Sequence, residues 1–454
     1  MKNNYCKRLQ MLLACLLMSC VLLSCSESET DGGVRHDPSK PITLDSFWPQ
    51  KGPIATQVII EGSNFGTNVE DITVLFNEKP ATIISSKGDR MLVLAPKLPG
   101  EECVITVKVG NKSAQFKEIF DYIVQTSVST VVGGIQAAQM PTGTMSLAAA
   151  QFSKKLERSM AIDADDNLFF VVNGVPGGSW QNVNRIYMLN EEAGSIKAVH
   201  DLDRWFGFGI IGYDCNANEI YWWSSQMEDD GYGVLSAIED YASIAMGNTK
   251  FDGTYPPFTN DMTCWGARSH IEMNPSDGKF YFFTNEGSAG RFDPVTGKGE
   301  NLTTDATKEM RGDVCGIVFD PNDNNIVYIS VKGKHCIYKY DLVNDTVEVW
   351  AGRLNSAGHL DGSLTEAQFN EPCQMCCDGE YIYVADRNNH CIRKINLTTG
   401  YVVTHAGVAR TPGYVNGAAD ESKFNYPMGC VVDSEGNLYV GDSENYAIRR
   451  VATE

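Results

Sequence analysis

FNEPCQMCCDGEYIYVADRNNHCIRKI, beginning at Phe369, and FNYPMGCVVDSEGNLYVGDSENYAIRRV, beginning at Phe424, are two copies of one pattern. Each runs through an apolar strand, a turn carrying Asp and Gly, a second apolar strand rich in Tyr and Val, and a third strand carrying basic side chains. Weaker copies lie upstream: DVCGIVFDPNDNNIVYISVKGKHCIYKYDL from Asp313, SHIEMNPSDGKFYFFTNEGSAGRFDP from Ser269, FGIIGYDCNANEIYWWSS from Phe208 and RSMAIDADDNLFFVV from Arg158. That makes six copies, spaced by roughly one propeller-blade length of about 40 to 60 residues.

The chain ends give the pattern a closure. After the third strand of the Phe369 copy comes GYVVTHAG, a fourth strand, whereas the final copy stops at IRRVATE. The missing strand is available in VSTVVGG, Val128 to Gly134, just ahead of the first copy. Joining the ends removes edge strands that would otherwise invite aggregation. The last two copies resemble NHL repeats, and the resemblance implies a six-bladed β-propeller over residues 125–454.

Residues 41–124 read as a separate antiparallel sandwich, with period-two segments such as QVIIEG and ITVLF between Gly, Asn and Pro turns. Pro49, Gly52, Gly62-Ser63-Asn64-Phe65-Gly66, Pro96 and the terminal FDYI look like an IPT/TIG domain, an immunoglobulin-like fold, and Phe65 is expected to plug the end of its core. The fold class expected is therefore all-β, an immunoglobulin-like β-sandwich followed by a six-bladed β-propeller. In proteins of this kind the sandwich is a spacer or an adhesive module.

The first residues differ in kind. Lys2, Lys7 and Arg8 precede an apolar run from Leu9 to Leu23 that is shorter than a membrane span of about 20 residues. LLSC at Leu22 to Cys25 resembles the lipobox of bacterial lipoproteins, which implies a leader over 1–24, lipid attachment at Cys25 and a polar tether over 25–40. LLAC ending at Cys15 and LMSC ending at Cys20 fit the same short pattern. Glu27, Glu29 and Asp31 resemble the acidic export signal of Bacteroidetes-type surface lipoproteins, so an outer-membrane location facing the cell exterior is expected. Losing the leader's three cations takes the formal charge from −20 to −23. Such a balance disfavours nucleic acid and anionic headgroups.

Of the fourteen cysteines, four lie in the leader segment up to Cys25. Cys315 and Cys373 share one repeat position and Cys336 and Cys391 another, which separates them by a blade, too far for a bridge that needs Cα atoms within about 7 Å. They read as small buried hydrophobes. No CxxC pair is matched by a second pair or by histidines, so neither a metal nor another cofactor is expected.

Recurrence sorts scaffold from site. Asp386 and Asp442, Asn389 and Asn445, and Arg393 and Arg449 recur, as do His335 and His390, and read as residues serving the blade. The departures gather in the first three copies, where Trp180, Trp205, Trp222, Trp223 and Trp265 stand with Tyr213, Tyr232 and Tyr255. Trp222 and Trp223 alternate along one strand, so at least one belongs to the core. Two readings compete for the others. Exposed rings at Trp180, Trp205, Tyr232, Tyr255 and Trp265 would stack on pyranose faces, with Arg268 and His270 near the channel mouth; alternatively the rings fill space beneath the Gln226–Asp261 insertion.

GxSxG, HExxH, a P-loop and a dinucleotide glycine fingerprint are all missing from the sequence. The combined resemblance implies a non-catalytic surface protein that captures a polysaccharide or oligosaccharide, working with other outer-membrane uptake proteins. Its rivals are a protein-interaction or adhesion scaffold and a channel-centred lyase or hydrolase.

Overall fold

The computed structural model describes residues 34–98, 100–134, 141–175, 183–202, 210–223, 231–236, 243–248, 271–285 and 287–454. They form two compact units, one ending at Ile123 and the other running from Val124 to Glu454.

The first unit is a sandwich of two sheets. One orders Thr43–Trp48, Gln57–Ser63, Arg90–Leu94 and Thr82–Ser86; the other orders Lys51–Gly52, Lys112–Tyr122, Glu102–Val109, Ile72–Phe76 and Lys79–Pro80. The alternation in QVIIEG does what a half-buried strand requires: Val58 and Ile60 face the core while Glu61 faces water. Phe65 is fully buried, as the glycine-flanked loop led us to expect. Gly62 is required there by crowding, since a Cβ would come within 2.0 Å of Thr43 O and 2.6 Å of the Phe65 ring. Phe47 and Phe116 meet edge to face at 4.9 Å, as do Phe76 and Phe120 at 5.1 Å.

The second unit is the propeller. Its described residues form six antiparallel sheets whose innermost strands are Leu156–Ile162, Ile210–Asp214, Glu272–Asn274, Val314–Phe319, Pro372–Cys377 and Pro427–Val432, here blades 1 to 6. Each inner strand packs against the next, and the sixth packs against the first, so the ring is closed. Blade 6 takes its outer strand from the other end of the unit, Thr126–Gly133, which runs antiparallel to Ala447–Thr453 with Val128 opposite Val451 and Gly133 opposite Ala447. The amide of Gln125 donates to Glu454 O at 2.7 Å and that of Glu454 to Gln125 O at 2.8 Å, locking the seam at its end. The observed strand begins two residues earlier than the apolar run alone suggested.

Phe369 and Phe424, the first residues of the two clearest copies, are fully buried between blades. Burying a side chain of that size contributes about 1.5–3 kcal/mol. Because strands alternate in direction, every inner strand starts at one end of the propeller, the entry end, and finishes at the other, the exit end.

Candidate functional site

The recurring polar residues prove to be frame. Arg393 and Asp386 are wholly buried and paired at 3.1 Å, and Arg449 and Asp442 repeat the arrangement at 2.9 Å. Each carboxylate also accepts from a backbone amide of the preceding loop, Asn370 N at 2.8 Å and Asn425 N at 2.7 Å, and from the blade's Asn at 2.7 Å. Burial pushes both carboxyls up to about 6 while the neighbouring guanidinium pulls against it. Arg393 also donates to Gln368 O, Leu360 O and Asp361 Oδ1, and Arg449 to Lys423 O, Val415 O and Asn416 Oδ1. Both guanidiniums are shut off from solvent.

The histidines are frame as well. His335 and His390 close a tight turn in the left-handed region, at φ 57° and 55°, and Nδ1 of each accepts the amide of the following blade's entry loop, Glu371 N and Tyr426 N, at 3.1 Å. Accepting requires an unprotonated ring nitrogen, and burial depresses both rings below the usual histidine range. Trp222 is 7% exposed, packed at 4.3 Å between ring centroids from His200 in the core shared by blades 1 and 2, so one of the paired tryptophans is core as expected.

Of the residues assigned to a glycan face, Trp180, Trp205, Tyr255, Trp265, Arg268 and His270 lie outside the described residues, as does Cys25. Tyr232 lies in the third strand of blade 2, its backbone paired with Trp223 and Gly247.

What the structure adds is a cavity of about 470 Å³ on the axis at the exit end. Its wall takes one residue from each blade just before the turn Asp or Asn: Ile162, Tyr213, Met273, Phe319, Cys377 and Val432. The wall is thus mainly apolar. Three acids around it are engaged in holding turns: Asp163 accepts Asn167 N and Asp433 accepts Asn437 N, both at 2.8 Å, and Asp166 accepts Ser434 N at 2.9 Å. Glu272 stands at another level. It lies one step deeper, at the position held by Ala161, Gly212, Val318, Cys376 and Val431 in the other blades, and it lines the cavity. Partly open to the lumen yet ringed by protein, its carboxyl is pushed up to about 8 by desolvation. This residue was legible only by comparing equivalent inner-strand positions, where it is the one charge.

Below the cavity, Gln374 of blade 5 reaches blade 1. Its Nε2 donates to Met160 O at 2.8 Å and its Oε1 accepts Met160 N at 3.1 Å, the two bonds a neighbouring strand would make. Gly429 of blade 6 makes that crossing possible, because a Cβ there would come within 2.4 Å of Met160 Sδ and 3.1 Å of Gln374 Oε1. Among the described residues no group of three or more His, Cys, Asp or Glu side chains is disposed to hold a metal ion.

Fold and site together define an all-β protein carrying an IPT/TIG domain ahead of an NHL-type propeller. The IPT/TIG domain family matches residues 42–122. NHL repeat-containing protein 2 of Bos taurus is 33% identical over 86 residues, which is 18% of this chain and 12% of that protein, so this likeness speaks for the repeats. An auxiliary nutrient binding protein from Bacteroides ovatus superposes with a TM-score of 0.65 at 22% identity, over 93% of this chain and 100% of its own. A Bacteroides thetaiotaomicron protein with a provisional phosphatase designation superposes at 0.54 with 20% identity, over 92% and 98%. At these identities the likeness is one of fold.

Proposed function

We propose that this protein is a non-catalytic binding protein of the bacterial surface, anchored through lipid on Cys25, that captures a polysaccharide or oligosaccharide on the entry end of blades 1 to 3. The observation that carries the reading is topological. Trp180 falls between Val175, the end of a second strand, and Val183, the start of a third; Trp205 falls between the outer strand ending at Leu202 and the inner strand starting at Ile210. Tyr255, Trp265, Arg268 and His270 fall between Asn248 and Glu272, again an outer-to-inner passage, and Tyr232 is the second residue of a third strand. In an antiparallel blade all of these strand ends belong to the entry end. Aromatic residues in the segments that join these strand ends would suit the apolar faces of sugar rings, with Arg and His as partners for the hydroxyls.

The nutrient-binding designation of a neighbour that covers 93% of this chain favours the same reading. A catalytic reading would need converging acids and bases, whereas Asp163, Asp166 and Asp433 at the described cavity hold turns and Glu272 lies at another level. Affinity electrophoresis through gels containing a panel of polysaccharides tests the proposal. At least one polysaccharide retards the protein, and Trp205→Ala combined with Trp265→Ala abolishes the retardation; free migration in every gel overturns it.

A further inference from the structure

Around the axis, the residue two before each turn Asp or Asn faces the following blade, and the residue three before it faces the preceding one. Ala161 thus packs with Ile211 between blades 1 and 2, Val318 with Met375 between blades 4 and 5, and Val431 with Met160 across the closure. Between blades 5 and 6 the same meeting brings Cys376 Sγ to 3.8 Å from Cys430 Sγ. The position of Cys430 holds Ile or Met in the other five blades, so at this level of the axis a thiol faces a thiol between blades 5 and 6. Alignment of the repeats does not betray the pair, because the two cysteines are not equivalent residues of their blades.

We propose that Cys376 and Cys430 form a modification site, oxidised by a small-molecule disulfide that enters through the axial cavity, to give a bridge tying blade 5 to blade 6. Cys376 is the point of entry, since it lines the cavity and is partly exposed, while Cys430 is wholly buried with its thiol donating to Gln374 O at 3.2 Å. In the first step the Cys376 thiolate attacks one sulfur of the reagent, forming a mixed disulfide and expelling one thiolate. Cys430, deprotonated, then attacks the Cys376 sulfur, the intramolecular S–S bond forms, and the second thiolate leaves. The two cysteine protons end on the two released thiols, so one reagent disulfide is reduced for each protein disulfide made.

The sulfurs must close from 3.8 Å to about 2.05 Å, a movement within reach of side-chain rotation and a small shift of adjacent inner strands. Burial and the neighbouring thiol hold Cys376 well above the ordinary thiol range, so exchange is slow at neutral pH and faster in alkali. The bridge joins positions 54 apart in sequence, and one of its ends lies in the blade completed by the amino-terminal strand of the unit, so it constrains the unfolded chain and reinforces the closure.

The test is to incubate the native protein with glutathione disulfide at pH 8, alkylate, digest without reduction and map the peptides by mass spectrometry. A peptide linking Cys376 to Cys430 is expected, with two alkylatable thiols lost and the thermal midpoint raised by a few degrees. Cys376→Val, which installs the residue found at this position in blades 4 and 6, gives neither the link nor the shift, and Cys430→Val behaves alike. Cys377 lines the same cavity and serves as the internal control. Glutathione retained on Cys377 while Cys376 and Cys430 stay free, a Cys376–Cys377 link, or a bridge that forms only in denaturant would overturn the proposal.

Discussion

Glu272 illustrates how a single side chain can carry a free-energy cost whose size depends on pH. Its carboxyl titrates at about 8 in the folded protein against 4.5 ordinarily, so the folded state holds the proton more tightly than the unfolded chain does. Stability on this account is greatest below about 4.5 and declines as pH rises through 8, each unit of displacement being worth about 1.4 kcal/mol. Glu272→Gln removes the titration while keeping the shape. Thermal melts across pH 5 to 9 are expected to show the variant close to the parent at the acid end and increasingly more stable toward pH 8, with the gain level beyond; a difference independent of pH would show that ionisation of this carboxyl is not linked to folding. The buried pairs Arg393–Asp386 and Arg449–Asp442 were legible from recurrence, because a residue repeated in the blade serves the blade. Glu272 escaped the same filter because it departs from its equivalents instead of recurring, and SHIEMN does not tell that its level of the strand borders a cavity.

At the scale of elements the decisive piece is the strand Thr126–Gly133, which belongs to the last blade although it comes first in the unit. Its register shifts between Thr130 and Val132, a bulge that lets Val128 join the core between blades 5 and 6 while Val132 joins the one shared with blade 1. Both valines are 2% exposed. A charge at Val128 would be buried without a partner, so Val128→Asp is expected to destabilise the propeller by on the order of 3 kcal/mol or more, read by chemical denaturation. The same change at its exposed neighbour Ser129 is expected to be near neutral, and equal effects at the two sites would mean that the strand is not part of the cooperative unit. The spare apolar strand VSTVVGG ahead of the first copy made this closure readable, while its first residues were missed because Thr126 and Ser127 are polar and pair through backbone, Thr126 opposite Thr453. The facing of Cys376 and Cys430 was hidden for a related reason: alternation tells which side of a strand a residue takes, and only the packing of neighbouring inner strands tells what it meets.

Over the whole molecule the formal charge of −20 governs which glycans the proposed face can take. A field of that sign reaches about 30 Å at 0.01 M salt and about 10 Å at 0.1 M. Stacking of neutral sugar rings on aromatic side chains owes little to it, whereas a polysaccharide of uronic acids would be repelled before contact. Retardation by a neutral polysaccharide is therefore expected to stay constant as salt is raised from roughly 20 mM to 500 mM, beyond which the field is confined to a few ångströms. An anionic polysaccharide of the same backbone is expected to bind weakly at low salt and to gain as screening removes the repulsion. The opposite slope, binding to an anionic glycan that falls away steeply with salt, would mean that a local cluster of cations rather than the aromatic stretches carries recognition, and Arg268 with His270 would then be the first residues to replace.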